Sequence, residues 1–102
     1  VDLAAIIMRA LKRQPASGVY HVVNSGSCSW YEFAVQIMKV MRFKDVVVRP
    51  IASADSPSRI VRPKYSVLSN KLLTKRGLGL MPTWQNALRR YCRAKYKNTK
   101  YE

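Results

Sequence analysis

Apolar residues recur along this chain with two different periods, and the alternation between them predicts its elements. Leu3, Ile6, Ile7, Ala10 and Leu11 fall at i, i+3, i+4, i+7 and i+8, which predicts an amphipathic helix from about residue 2 to 13 with Asp2 as N-cap. Arg9, Lys12 and Arg13 occupy its last turns, where cations suit the negative end of the helix dipole, and Pro15 and Gly18 stop it. These three read as solvated charges. Val19–Val23 (VYHVV) is β-branched and aromatic with a turn cluster behind it, Asn24 to Ser29, and predicts a strand. Trp30, Phe33, Ala34, Ile37, Met38 and Met41 return to the helical period, and Ser29 with Glu32 forms a capping box ahead of them.

The remainder is less regular. After a polar turn at Arg42–Asp45, Val46 to Ile51 (VVVRPI) reads as a second strand, and its three consecutive valines predict burial on both faces, as in a parallel sheet. Strand, helix, strand is the right-handed crossover unit, and Pro50 closes the second strand or marks an edge. Residues Ala52 to Lys64 form a long irregular loop, the natural candidate for a site. Val67 and Leu68 predict a short extended segment, Ser69 the cap of a short helix over Asn70–Arg76, and Gly77 its stop. Pro82 and Thr83 open a last helix whose buried stripe is Trp84, Ala87, Leu88, Tyr91 and Cys92, followed by a basic, frayed tail from Lys95 to Glu102. The expected architecture is α/β: helix, strand, helix, strand, long loop and two helices, with the two strands parallel.

Composition narrows the class. At 102 residues the chain is at most one domain, or part of a larger one. It opens on Val1-Asp2 and enters a helix at once, as a segment of a longer polypeptide would. No signal-peptide pattern occurs, and no apolar run approaches the roughly 20 residues that span a bilayer, so a soluble, cytoplasmic protein is expected. Cys28 and Cys92 have no CxxC spacing and read as free thiols. The net charge of +14 invites a polyanionic partner, nucleic acid or an acidic membrane surface, against the plainer reading of a solvated basic face.

No complete catalytic machinery is visible. The NSGSCS loop precedes a helix N-terminus, where anions are favoured, but it has neither the GxGxxG nor the GK[ST] spacing, and a connecting loop outweighs a phosphate cradle. His21, the one histidine, sits mid-strand without a carboxylate nearby in sequence and reads as structural. The carboxylates are scattered: Asp2 and Glu32 at helix starts, Asp45 in a turn, Asp55 alone in the long loop and Glu102 at the end. Cys28 stands at a helix N-terminus, where a thiol pKa can fall, but no histidine or resolving cysteine accompanies it. Arg89, Arg90 and Arg93, with Lys95, Lys97 and Lys100, make a basic flank without an RNP-like, zinc-finger or helix-turn-helix signature.

Three segments in order resemble a known family. Gly18 to Ala34 (GVYHVVNSGSCSWYEFA), Arg62 to Leu72 (RPKYSVLSNKL) and Gly79 to Leu88 (GLMPTWQNAL) resemble the C-terminal part of the dTDP-4-dehydrorhamnose reductases, and Val1 to Ala4 resembles the helix before it. The chain departs from the family pattern at Ser69, where an acidic residue is common, at Tyr65, where a small polar residue is usual, and in its charge. The resemblance implies the small substrate-binding lobe of an extended short-chain dehydrogenase/reductase. In such a parent an N-terminal Rossmann domain binds NADPH, and a Tyr-x-x-x-Lys pair assists reduction of the C4 ketone of dTDP-4-dehydro-L-rhamnose to dTDP-L-rhamnose. The parent's partners would be the nucleotide-sugar, its own Rossmann domain and a second copy in a homodimer.

The glycine-rich fingerprint is absent here, and Tyr91 with Lys95 matches the catalytic spacing by letters alone, in the terminal helix. The fragment is therefore expected to hold no catalytic, cofactor or metal residues and to be inactive alone. Arg62, which opens the R-P-x-x-S-x-L motif, offers a planar fork of donors suited to a diphosphate, with a structural role as the alternative. Pro63 would stiffen that approach. Ser66 would donate a hydroxyl hydrogen bond to substrate or merely end a turn. A small basic nucleic-acid-binding module is the alternative from another class.

Overall fold

The computed structural model describes residues 1–58 and 60–96. Four α-helices, α1 (Asp2–Arg13), α2 (Trp30–Met41), α3 (Lys71–Lys75) and α4 (Trp84–Lys95), and one 3₁₀ turn (Ser53–Asp55) are joined by extended or irregular chain. Two compact units are present: the first comprises Val1–Gly26 and Val67–Ala87, the second Ser27–Ser66 and the chain from Leu88.

In the first unit, Ile6 of α1 and Leu73 of α3 pack with Leu78 and Met81, and Ala10, Tyr20 and Val22 close the cluster. Leu73 and Leu78 are fully enclosed, a burial that contributes about 1.5–3 kcal/mol for each side chain. The basic end of α1 is structural rather than merely solvated. Arg9 donates to the carbonyl of Leu78 at 2.6 Å and Arg13 to that of Gly77, so two cations of α1 satisfy carbonyls of the segment that leaves α3. Gly79, at φ +117°, lies against this clamp, and a Cβ there would collide with the Arg9 guanidinium. Of the stripe expected to be buried on α1, Ile6 is enclosed, whereas Leu3, Ile7 and Leu11 are exposed.

In the second unit, α2 starts as its sequence predicts. Ser29 Oγ accepts from the Glu32 N–H at 3.1 Å, and Glu32 Oε2 accepts from the Ser29 N–H at 2.6 Å. Two donors that the first turn would otherwise leave unpaired are thereby satisfied. The helix ends at Arg42, in left-handed conformation at φ 59°. Trp30 is exposed and the rest of the apolar stripe is half-buried, so α2 contributes no fully buried residue. Cys92 of α4 is buried.

The expected α/β architecture is not formed. Neither Val19–Val23 nor Val46–Ile51 is a strand, and the β-type pairing among the described residues is a single isolated parallel bridge between Ser25 and Thr83. β-Branched composition favours an extended backbone, but a strand exists only where a second backbone exchanges hydrogen bonds with it. Val23 instead pairs with a side chain: its N–H donates to Asn70 Oδ1 at 3.0 Å and its carbonyl accepts from Asn70 Nδ2 at 2.6 Å. One carboxamide takes the place of a neighbouring strand. Val46, Val47 and Ile51 are exposed rather than covered on both faces, which removes the burial that would make three valines a central strand.

Candidate functional site

The Ser25–Thr83 bridge organises the polar side of the first unit. Ser25 N–H donates to the Pro82 carbonyl at 2.9 Å, and its own carbonyl accepts from the Trp84 N–H at 3.1 Å. Ser25 Oγ donates to the Met81 carbonyl at 2.7 Å, and Asn24 Nδ2 donates to that of Pro82 at 3.3 Å. The NSG turn is thus pinned to the segment that opens α4. Gly26 holds φ +84°, and a Cβ there would lie 3.3 Å from the Trp84 ring, so glycine permits both the turn and the close approach. Beside the turn, Asn70 is fixed by its two bonds to Val23, and α3 follows it. The turn and α3 enclose a groove of about 580 Å³.

Arg62 and Ser66, the residues singled out for substrate contact, lie elsewhere, in the irregular chain of the second unit. Both are exposed and neither has a hydrogen-bond partner among the described residues. A guanidinium in that state keeps its donors available to an anion. Ser69, expected as the cap of α3, is not its N-cap: Asn70 holds that position, and Ser69 Oγ accepts from the Lys71 N–H at 3.3 Å one residue earlier. The α3 helix is one residue shorter at each end than the expected span.

Other residues weighed for chemistry take plain roles. Partial burial, and then the nearby Glu32 carboxylate, push the Cys28 thiol above its usual value, the reverse of an activated helix-terminal thiol. Glu32 is held below the usual carboxylate range by the Ser29 backbone N–H and then by the Ser29 hydroxyl. Lys95 Nζ donates to Tyr91 Oη at 3.0 Å on the exposed side of α4 and lies 5.5 Å from that ring's centre. The pairing raises the Lys95 ammonium above its usual value, chiefly through the hydrogen bond. This is the surface contact that i,i+4 helical spacing brings about. Lys97 and Lys100 of the expected basic flank lie outside the described residues. Among the described residues no group of three metal-ligating side chains occurs, and no helix is long and apolar enough to cross a membrane.

The three segments singled out in the sequence are thereby divided between the two units, and similarity to known proteins establishes what they share. Residues 1–97 match the RmlD substrate binding domain family. The chain belongs to that family. It is similar to the spore coat polysaccharide biosynthesis protein SpsK of Bacillus subtilis, at 37% identity over 88% of this chain and 30% of that protein. A dTDP-4-keto-6-deoxy-D-glucose reductase of Streptomyces niveus is 35% identical over 86% of this chain and 30% of its own length. A dTDP-4-dehydrorhamnose reductase of Streptomyces griseus is 33% identical over 84% of the chain and 28% of its length. The chain thus spans about 30% of the curated relatives it matches. No solved structure matches it.

Proposed function

We propose that these residues form the substrate-side region of a longer NADPH-dependent reductase that converts dTDP-4-dehydro-L-rhamnose to dTDP-L-rhamnose. The match of residues 1–97 to a substrate binding domain family carries this reading, and the reductase names of relatives such as those of S. niveus and S. griseus support it. On this reading an N-terminal Rossmann domain would hold NADPH, which would supply the hydride for the C4 carbonyl, and a tyrosine of that domain would supply the proton. This region's part is to hold the nucleotide-sugar. Arg62 contacts its anionic portion and Ser66 donates a hydroxyl hydrogen bond to it. The Rossmann domain, a cytoplasmic location and a homodimer belong to the same proposal.

The test is Arg62→Ala in the longer protein, with nucleotide-sugar and NADPH affinities measured separately by calorimetry. Loss of one charge-assisted hydrogen-bonding group corresponds to about 1.5–3 kcal/mol, roughly a 10- to 100-fold weaker nucleotide-sugar complex. NADPH affinity stays unchanged. Unaltered nucleotide-sugar affinity removes Arg62 from the site.

A further inference from the structure

From its sequence the NSG turn lacks the cation that phosphate-binding loops carry, and the fold supplies two from far along the chain. Ser25 and Gly26 form one wall of the groove in the first unit, and Ser69, Lys71, Thr74 and Lys75 form the other. Lys71 and Lys75 are one helical turn apart, so both ammonium groups project on the same side of α3. Neither has a hydrogen-bond or carboxylate partner among the described residues, and the Gly26 N–H and the Thr74 hydroxyl have none there either. Among the described residues no acidic side chain lines the groove. The whole first unit holds six basic residues against one acidic, Asp2. The walls are fixed by bonds that leave these donors free: Ser25 to Pro82, Met81 and Trp84, and Asn70 to both backbone groups of Val23.

We infer that this groove is an anion site for a phosphate or diphosphate group, with Lys71 and Lys75 as counter-charges and the Gly26 N–H and Thr74 hydroxyl as neutral donors. Cations and donors without partners on residues that line one concave surface are what such a ligand requires. The assignment of an anion rests on the groove alone. Its identification with the diphosphate of a nucleotide-sugar rests on the function proposed above.

The experiment titrates the ¹⁵N-labelled longer protein containing these residues with pyrophosphate at physiological salt and follows amide shifts. Saturable shifts confined to Ser25, Gly26, Lys71, Thr74 and Lys75 are expected, with affinity reduced by about tenfold or more in the Lys71→Ala/Lys75→Ala double variant. A control pair, Lys12→Ala/Lys39→Ala, removes the same charge elsewhere and is expected to bind as the wild type does. Absence of saturable shifts, shifts spread over the arginines of α4, or equal weakening in the control pair overturns the site. A parallel titration with dTDP-rhamnose separates the two claims. Binding of pyrophosphate in the groove without binding of dTDP-rhamnose keeps the site and removes the nucleotide-sugar reading. Binding of dTDP-rhamnose that ignores the loss of both lysines keeps that reading and overturns the site.

Discussion

Asn70 shows how much structure one side chain carries in a fold with so few buried residues. Its carboxamide accepts the N–H of Val23 and donates to the same residue's carbonyl, tying the chain before the NSG turn to the start of α3. An alanine there leaves both backbone groups of the half-buried Val23 without their partner. Asn70→Ala is therefore expected to cost about 1–3 kcal/mol, read as a lower urea midpoint, and to speed exchange of the Val23 amide in particular. An aspartate accepts from the N–H but cannot donate to the carbonyl when ionised, so Asn70→Asp is expected to restore protection of that amide only in part. Unchanged exchange at Val23 in the alanine variant contradicts this account of the residue.

Helices and strands differed in how far the sequence could specify them. α1 and α2 span Asp2–Arg13 and Trp30–Met41 as their periodicity places them, because each helix satisfies its backbone internally, although Asp2, expected as the N-cap of α1, is its first helical residue and Val1 holds the cap position without a side-chain bond. Val19–Val23 and Val46–Ile51 carry equally clear β-type composition and form no ladder, since that requires a second backbone which composition cannot supply. The Asn70 substitute for a strand neighbour, and the groove that joins residues 24–26 to 69–75, depend on contacts between distant segments and leave no periodic signal. The three motif segments were legible, but their division between two units was not.

The local character of α2 also gives it a defined pH response. The Ser29 N–H and hydroxyl hold Glu32 below the usual carboxylate range. A depressed folded-state pKa means that this stabilisation is fully present above the unfolded glutamate value and is lost as pH falls through the lower, folded one. Protection of the Ser29 and Glu32 amides is thus expected to fall in an acid step below the ordinary glutamate range. Glu32→Gln, which can still accept from Ser29, is expected to lack that step. A step of equal size in the variant assigns it to another group.

At the scale of the whole molecule, exposed apolar side chains and the proposed function have one explanation. Leu3, Ile7 and Leu11 of α1 are exposed, as are Val46, Val47 and Ile51, while the curated relatives are about three times as long as the stretch they share with this chain. A longer polypeptide that covers these faces is consistent with a substrate-side region whose catalytic groups lie in another domain. The charge of +14 fits an anionic substrate as well as a polyanion. The most direct measurement is NADPH oxidation, followed by absorbance, when the longer protein containing these residues meets dTDP-4-dehydro-L-rhamnose. The account predicts oxidation that depends on the keto-sugar and yields dTDP-L-rhamnose in equal amount. No oxidation by a folded protein that binds NADPH, or oxidation indifferent to the keto-sugar, contradicts it.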